Sequence, residues 1–138
     1  MKVYPIGYRS DGQYIAALMA EDPKLLLIDT RKVPYSKIEA FAQFTKAALQ
    51  ATYGKRYRAA GDYLGNLNYK NRNAGIVLAQ PEIGIPGLIR YLNEGHDLIL
   101  LCGCAHYAAC HRKVIVEMLQ AKVPGIDVVH TYRLHPIV

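Results

Sequence analysis

Two short, uninterrupted apolar runs constrain this chain more than anything else in it: Leu25-Leu26-Leu27-Ile28 and, after Asp97, Leu98-Ile99-Leu100-Leu101. A strand with one wet face alternates apolar and polar residues, whereas a strand covered on both faces is apolar at every position. Around these runs, apolar residues recur at helical spacing. Tyr14, Ile15, Leu18 and Met19 do so before Pro23, Ile38, Phe41, Thr45, Ala48 and Leu49 after Pro34, and Val114, Ile115, Met118 and Leu119 before Pro124-Gly125. Ser10-Asp11-Gly12-Gln13 and Ser36-Lys37-Ile38-Glu39 carry the capping-box pattern and predict two helix starts. Shorter strands are expected at 3–6, near Tyr57 and at 126–130, with a further helix at 86–92 and Gly95 near its C-terminal cap. Strands alternating with amphipathic helices imply one α/β domain over 1–138, a mostly parallel sheet with helices on both faces.

Composition narrows the class. The chain has 138 residues, 51% of them apolar, enough to bury a real core. No apolar run approaches the roughly 18 residues that cross a bilayer. Met1-Lys2-Val3-Tyr4-Pro5 lacks the apolar stretch of a signal peptide, so a cytoplasmic protein with no membrane partner is expected. Three cysteines, odd in number and close together, argue for reduced thiols and against a disulfide framework. The net charge of +6 is concentrated: segment 31–72 holds nine Lys or Arg against Glu39 and Asp62, and the rest is nearly balanced. Such a field attracts phosphate-bearing partners, although a solvated basic face without a partner is as common.

Parallel sheets bind ligands outside the carboxyl ends of their strands. Three expected strands end in unusual chemistry: Gly7-Tyr8-Arg9-Ser10, Asp29-Thr30-Arg31 and Cys102-Gly103-Cys104. If those strands are parallel neighbours, the three tips meet. The stretch from Cys102 to Arg112 then leads into a helix expected to start near Ala109 or Cys110, with Arg112 and Lys113 in its first turn. Cations there oppose the helix dipole, and an anion on the free N–H groups would reverse the penalty. Alternatively, Arg112 pairs with Asp29, or both cations face solvent.

Several chemistries are excluded by spacing. A phosphatase loop needs Cys and Arg six positions apart, and six beyond Cys102, Cys104 and Cys110 stand Ala108, Cys110 and Val116. There is no Cys-x-x-Cys, Walker loop, dinucleotide glycine fingerprint or His-Glu-x-x-His helix. His96, His130 and His135 are isolated. No cofactor motif is present. Cys102, Cys104, His106, Cys110 and His111 would suit zinc, but all lie in one loop, without the two separated ligand pairs of familiar zinc sites.

With those blocks in order, the chain resembles the domain-of-unknown-function 488 family. The resemblance rests on Ile6-Gly7-Tyr8, on Leu27-Ile28-Asp29-Thr30-Arg31 with Pro34-x-Ser36, on Tyr63-Leu64-Gly65, and on Leu100-Leu101-Cys102 with Cys110-His111-Arg112. It implies a three-layer α/β fold and no established activity. Thr30, Arg9 and Asn66 depart from the family pattern, and Cys104 and His106 lie outside it. Asp29-x-Arg31 is also superficially similar to the start of rhodanese domains, whose arginine-closed cysteine loop is missing here.

Three functions follow as expectations. The first is an enzyme, or a degenerate one, acting on a phosphate-bearing small molecule such as a nucleotide. Asp29, Cys102, Cys110 and His111 would serve as catalytic groups, with Gly7, Tyr8, Arg9, Arg31 and Arg112 binding the ligand. Arg31 and Arg112 would fork the phosphate, and Asp29 would orient Arg112 or act as acid–base group. The second is a nucleic-acid-binding module using 31–72, whose tyrosines could stack on single strands. The third is a Cys/His metal-binding protein.

Overall fold

A computed structural model of the protein describes residues 1–34, 38–104 and 106–134, with Arg72 by its backbone alone. Ser36, Lys37 and His135 lie outside the described residues, and with them the second expected capping box. The elements run β1 (Lys2–Gly7), α1 (Tyr8–Asp11), α2 (Gln13–Glu21), β2 (Leu26–Asp29), α3 (Lys46–Tyr53), β3 (Tyr57–Ala59), α4 (Gly61–Leu64), α5 (Pro81–Asn93), β4 (Leu98–Cys102), α6 (His111–Lys122) and β5 (Asp127–Val128). The sheet order is β3-β2-β4-β1-β5, with every pairing parallel.

The two apolar runs occupy the middle of that sheet, as continuous burial requires. Their side chains alternate between two cores. Leu26, Ile28, Leu98 and Leu100 join Ile85, Leu88 and Leu92 of α5 and Ile115, Val116 and Leu119 of α6. Leu27, Ile99 and Leu101 join Ile15 and Met19 of α2, Leu49 of α3 and Tyr57 of β3. Helices therefore cover both faces, and the chain is a three-layer α/β domain. Leu100 is fully buried. Truncating such a leucine to alanine costs about 2–5 kcal/mol.

Four local expectations need correction. Ser10 caps nothing at Gln13: the chain passes from β1 into α1 at Gly7, and the Ser10 hydroxyl donates to the Asp11 carboxylate at 3.2 Å. The expected helix over Ile38 to Leu49 is broken at Thr45 into a 3₁₀ segment, Glu39–Phe44, and α3. Thr45 is the cap, its Oγ1 accepting from the Ala48 N–H at 3.3 Å, because an extended backbone there leaves the first N–H groups of α3 unpaired. The last strand is only Asp127–Val128.

The helix expected at 86–92 starts at Pro81 instead and carries Pro86 inside it. Proline removes one ladder hydrogen bond, but Gly84, Ile85, Leu88 and Leu92 are buried against the sheet and α4, and that packing prevails. Its exit is as expected: Gly95 has φ +92°, and its N–H donates to the Leu92 carbonyl at 3.1 Å. No helix among the described residues is long and apolar enough to cross a membrane.

Candidate functional site

Parallel pairing brings the three expected tips together at one sheet edge. Gly7 is in register with Cys102, and Asp29 with Leu101. Two buried polar clusters form there, adjoining at Thr30.

The first is built on the tip of β2. Asp29 is 1% exposed and Arg31 7%. Arg31 Nε donates to Asp29 Oδ1 at 2.8 Å and Nη2 to Oδ2 at 2.6 Å, a bidentate pair; Nη2 also donates to the Phe44 carbonyl at 2.6 Å. The Arg31 backbone N–H and the Tyr57 hydroxyl donate to the same carboxylate. Burial alone would lower the Arg31 pKa, but the bond to Asp29 outweighs it and the net shift is upward. Burial, then the bond to Asp29, pushes the Tyr57 phenol well above its ordinary value, so it stays a proton donor. The Arg31 guanidinium lies 5.3 Å from the Tyr8 ring centre, and Tyr8 stacks on Phe44. The partner of Asp29 is thus Arg31. The expected pairing of Asp29 with Arg112 does not form, because the planar fork two residues downstream reaches the carboxylate first.

The second cluster joins β4 to α6. Cys102, Cys110, His111 and Arg112 are all buried. The ligating atoms of Cys102, Cys110 and His111 lie within 4.8 Å of one another. His111 Nε2 is 2.8 Å from the Thr30 carbonyl, so this nitrogen carries a proton and donates it. Nδ1 therefore faces the two sulfurs, 3.8 Å from Cys102 Sγ and 3.6 Å from Cys110 Sγ. Thr30 is itself held by β4: its N–H and its hydroxyl both donate to the Leu101 carbonyl, at 3.0 and 2.8 Å. Arg112 folds back to donate from Nε to Cys110 Sγ at 3.2 Å and from Nη2 to the Cys104 carbonyl at 3.0 Å.

The three thiols shift in opposite directions because each bears on the others. Bonds from Cys102 and Cys104, opposed by burial and reinforced by His111 and Arg112, drive the Cys110 thiol far below its ordinary range. The bond from Cys104 lowers Cys102, but the bond to Cys110 and burial outweigh it, and this thiol is pushed up to about 11. Cys104 is raised, first by its bond to Cys102 and then by that to Cys110. Burial would lower the His111 pKa, yet its contacts with Cys110 carry it upward. Cys110 also caps α6, whose free N–H groups favour a thiolate. The Arg112 side chain, which would oppose the dipole if it lay along the first turn, is turned back onto the Cys110 sulfur.

Other expected residues take different roles. A side chain at Gly7 would place Cβ 1.9 Å from the Cys104 carbonyl oxygen, so the glycine lets the Cys104 loop cross β1. Arg9 is exposed and stands 5.8 Å from the Phe41 ring centre, outside both clusters. His106 is exposed, and Lys113 pairs with Glu117 at 3.8 Å. Within the basic segment, Arg56 is tied to the Leu25, Met19 and Asp22 carbonyls. Thr30, Tyr57 and Phe44 join the clusters although no motif in the sequence marks them. A hydroxyl inside a buried strand end was the available signal for the first two, since it must find a partner.

In comparisons with protein-family models, curated proteins and solved structures, nothing matches the chain.

Proposed function

We propose that this chain is a thiophilic-metal protein, in which Cys102 Sγ, Cys110 Sγ and His111 Nδ1 hold an ion of the zinc class between β4 and α6. The observation that carries this reading is the convergence of three buried soft donors within 4.8 Å. Burial favours a metal over a nucleophile: Cys110 is 1% exposed, so its sulfur cannot meet a substrate without the loop opening. A ring N–H held by a backbone carbonyl, leaving the other nitrogen to face the donors, is the usual arrangement of a metal-bound histidine. Cys104 lies in the same loop, half-buried and outside this donor set, so the three groups leave a fourth position for a water or another ligand. Zinc with two thiolates and one imidazole is neutral overall, and the Arg112 guanidinium donates to the Cys110 sulfur that would be a ligand. Such a set ties the start of α6 to the tip of β4 and, through the His111 bond to the Thr30 carbonyl, to the end of β2, a structural role.

Elemental analysis of reduced, purified protein should find about one zinc per chain, the stoichiometry of a single site at Cys102, Cys110 and His111. Replacement by cobalt(II) should give thiolate charge-transfer and tetrahedral ligand-field absorption, lost in Cys110→Ser and in His111→Ala. Reduced protein that carries no metal and gives no cobalt spectrum would end this reading.

A further inference from the structure

The groove between the edge strand β3 and α5 takes no part in the metal site. It encloses about 430 Å³, within the roughly 300–1,000 Å³ of small-molecule sites. Tyr63 and Tyr91 supply aromatic faces, Leu88 and Ile83 apolar wall, and Arg58 and Arg90 the charge, with no carboxylate among the lining residues. Both guanidiniums gather on one ring, 5.5 and 5.8 Å from the Tyr91 centroid. Among the described residues neither forms an ion pair, so two like charges share one aromatic ring without an anion between them.

A second observation points the same way. Gly87 lies in the middle of α5, where only proline is a poorer helix former. Nearby Gly84 has a packing reason, since a Cβ there would stand 2.6 Å from Leu64 Cδ2. Gly87 has none: its φ is not positive, and an added Cβ would meet nothing within 4 Å. The missing side chain keeps this wall of the groove open.

We propose that the groove binds a nucleoside monophosphate, its base against Tyr63 and its phosphate held by Arg58 and Arg90 beside Tyr91. Guanidinium forks match phosphate oxygens, and aromatic rings accept any base. The enclosed volume suits one nucleotide unit, whereas a strand needs a continuous basic track, and Arg31 and Arg56 of the neighbouring segment are already committed to internal acceptors.

Calorimetric titration with the four nucleoside monophosphates, adenosine, inorganic phosphate and a short single-stranded oligonucleotide tests this. At least one monophosphate should bind saturably, with its nucleoside and phosphate each weaker by about tenfold or more, because ring and guanidinium contacts both contribute. Gly87→Phe should fill the groove and abolish binding. Arg58→Ala with Arg90→Ala, both exposed and therefore neutral to folding, should weaken the monophosphate and leave adenosine unchanged. The proposal is overturned if no monophosphate saturates the wild-type protein, or if a folded Gly87→Phe or the double arginine variant binds like wild type. It is equally overturned if the oligonucleotide binds more tightly than its monomers with steep salt dependence, which would mark a nucleic-acid surface.

Discussion

The two polar clusters at the carboxyl edge of the sheet are similarly buried and differ in how their charges are met. Around Asp29, the carboxylate is saturated by Arg31 and Tyr57, and positive and negative charge cancel within one loop and its neighbouring strand. Around Cys110, three soft donors face each other across a gap that only weak S–H and N–H contacts span. The buried ion pair has its charge met and leaves only Arg31 Nη1 without a hydrogen-bond partner, whereas a knot of thiols and imidazole needs protons or a cation at its centre. The contrast assigns the first cluster to architecture and the second to ligand chemistry.

Breaking the first cluster should have the largest effect. Asp29→Ala strands the Arg31 guanidinium without its counter-ion, and unfolding in urea should show a loss of about 3–5 kcal/mol. If the loss is below about 1 kcal/mol, typical of an exposed pair, the cluster is not the anchor described.

Metal removal should come next. A chelator should lower the melting temperature of wild-type protein and leave that of Cys110→Ser unchanged. With zinc at a hundredfold excess over its dissociation constant, the difference is about 2.7 kcal/mol. The pH dependence has a definite sign. The apo cluster holds Cys102 up to about 11 and raises His111, so binding must expel protons. Apparent zinc affinity should therefore fall on acidification from pH 8 to 6, by about tenfold per unit for each proton expelled. Affinity independent of pH over that range would remove the thiols from the ligand set.

Smaller effects sharpen the picture elsewhere. Thr45→Ala removes the α3 cap and should cost about 1 kcal/mol in chemical denaturation. Gly87→Ala should raise stability by about 0.5–1 kcal/mol, since nothing obstructs the new methyl group. A destabilised Gly87→Ala would show that the glycine is required by the helix, and so could not be read as kept for the groove.

Much of this was legible from pattern alone. Continuous apolar burial in Leu26–Ile28 and Leu98–Leu101 predicts central parallel strands, and the parallel sheet then brings Gly7, Asp29 and Cys102 to one edge. Misreadings fell where a local rule met tertiary packing. Pro86 and two glycines look like helix breakers, yet α5 runs through them because its buried face is worth more than the lost hydrogen bond. Ser10 fits a capping box, but the strand before it enters the helix directly. At the site, residue types were readable and partners were not: Asp29 had two arginines to choose from, and Thr30 and Tyr57 each a hydroxyl with no stated acceptor.

Sequence by itself determined the layers, the strand tips and the presence of thiols, imidazole and guanidinium at one end of the sheet, because hydrophobic periodicity is a local signal that burial enforces. Which guanidinium met the carboxylate, which thiols faced the imidazole, and the groove beside β3 were decided only by the tertiary structure. Those outcomes depend on distances of a few ångströms between residues as far apart in the chain as Thr30 and His111, and no spacing along the chain encodes them.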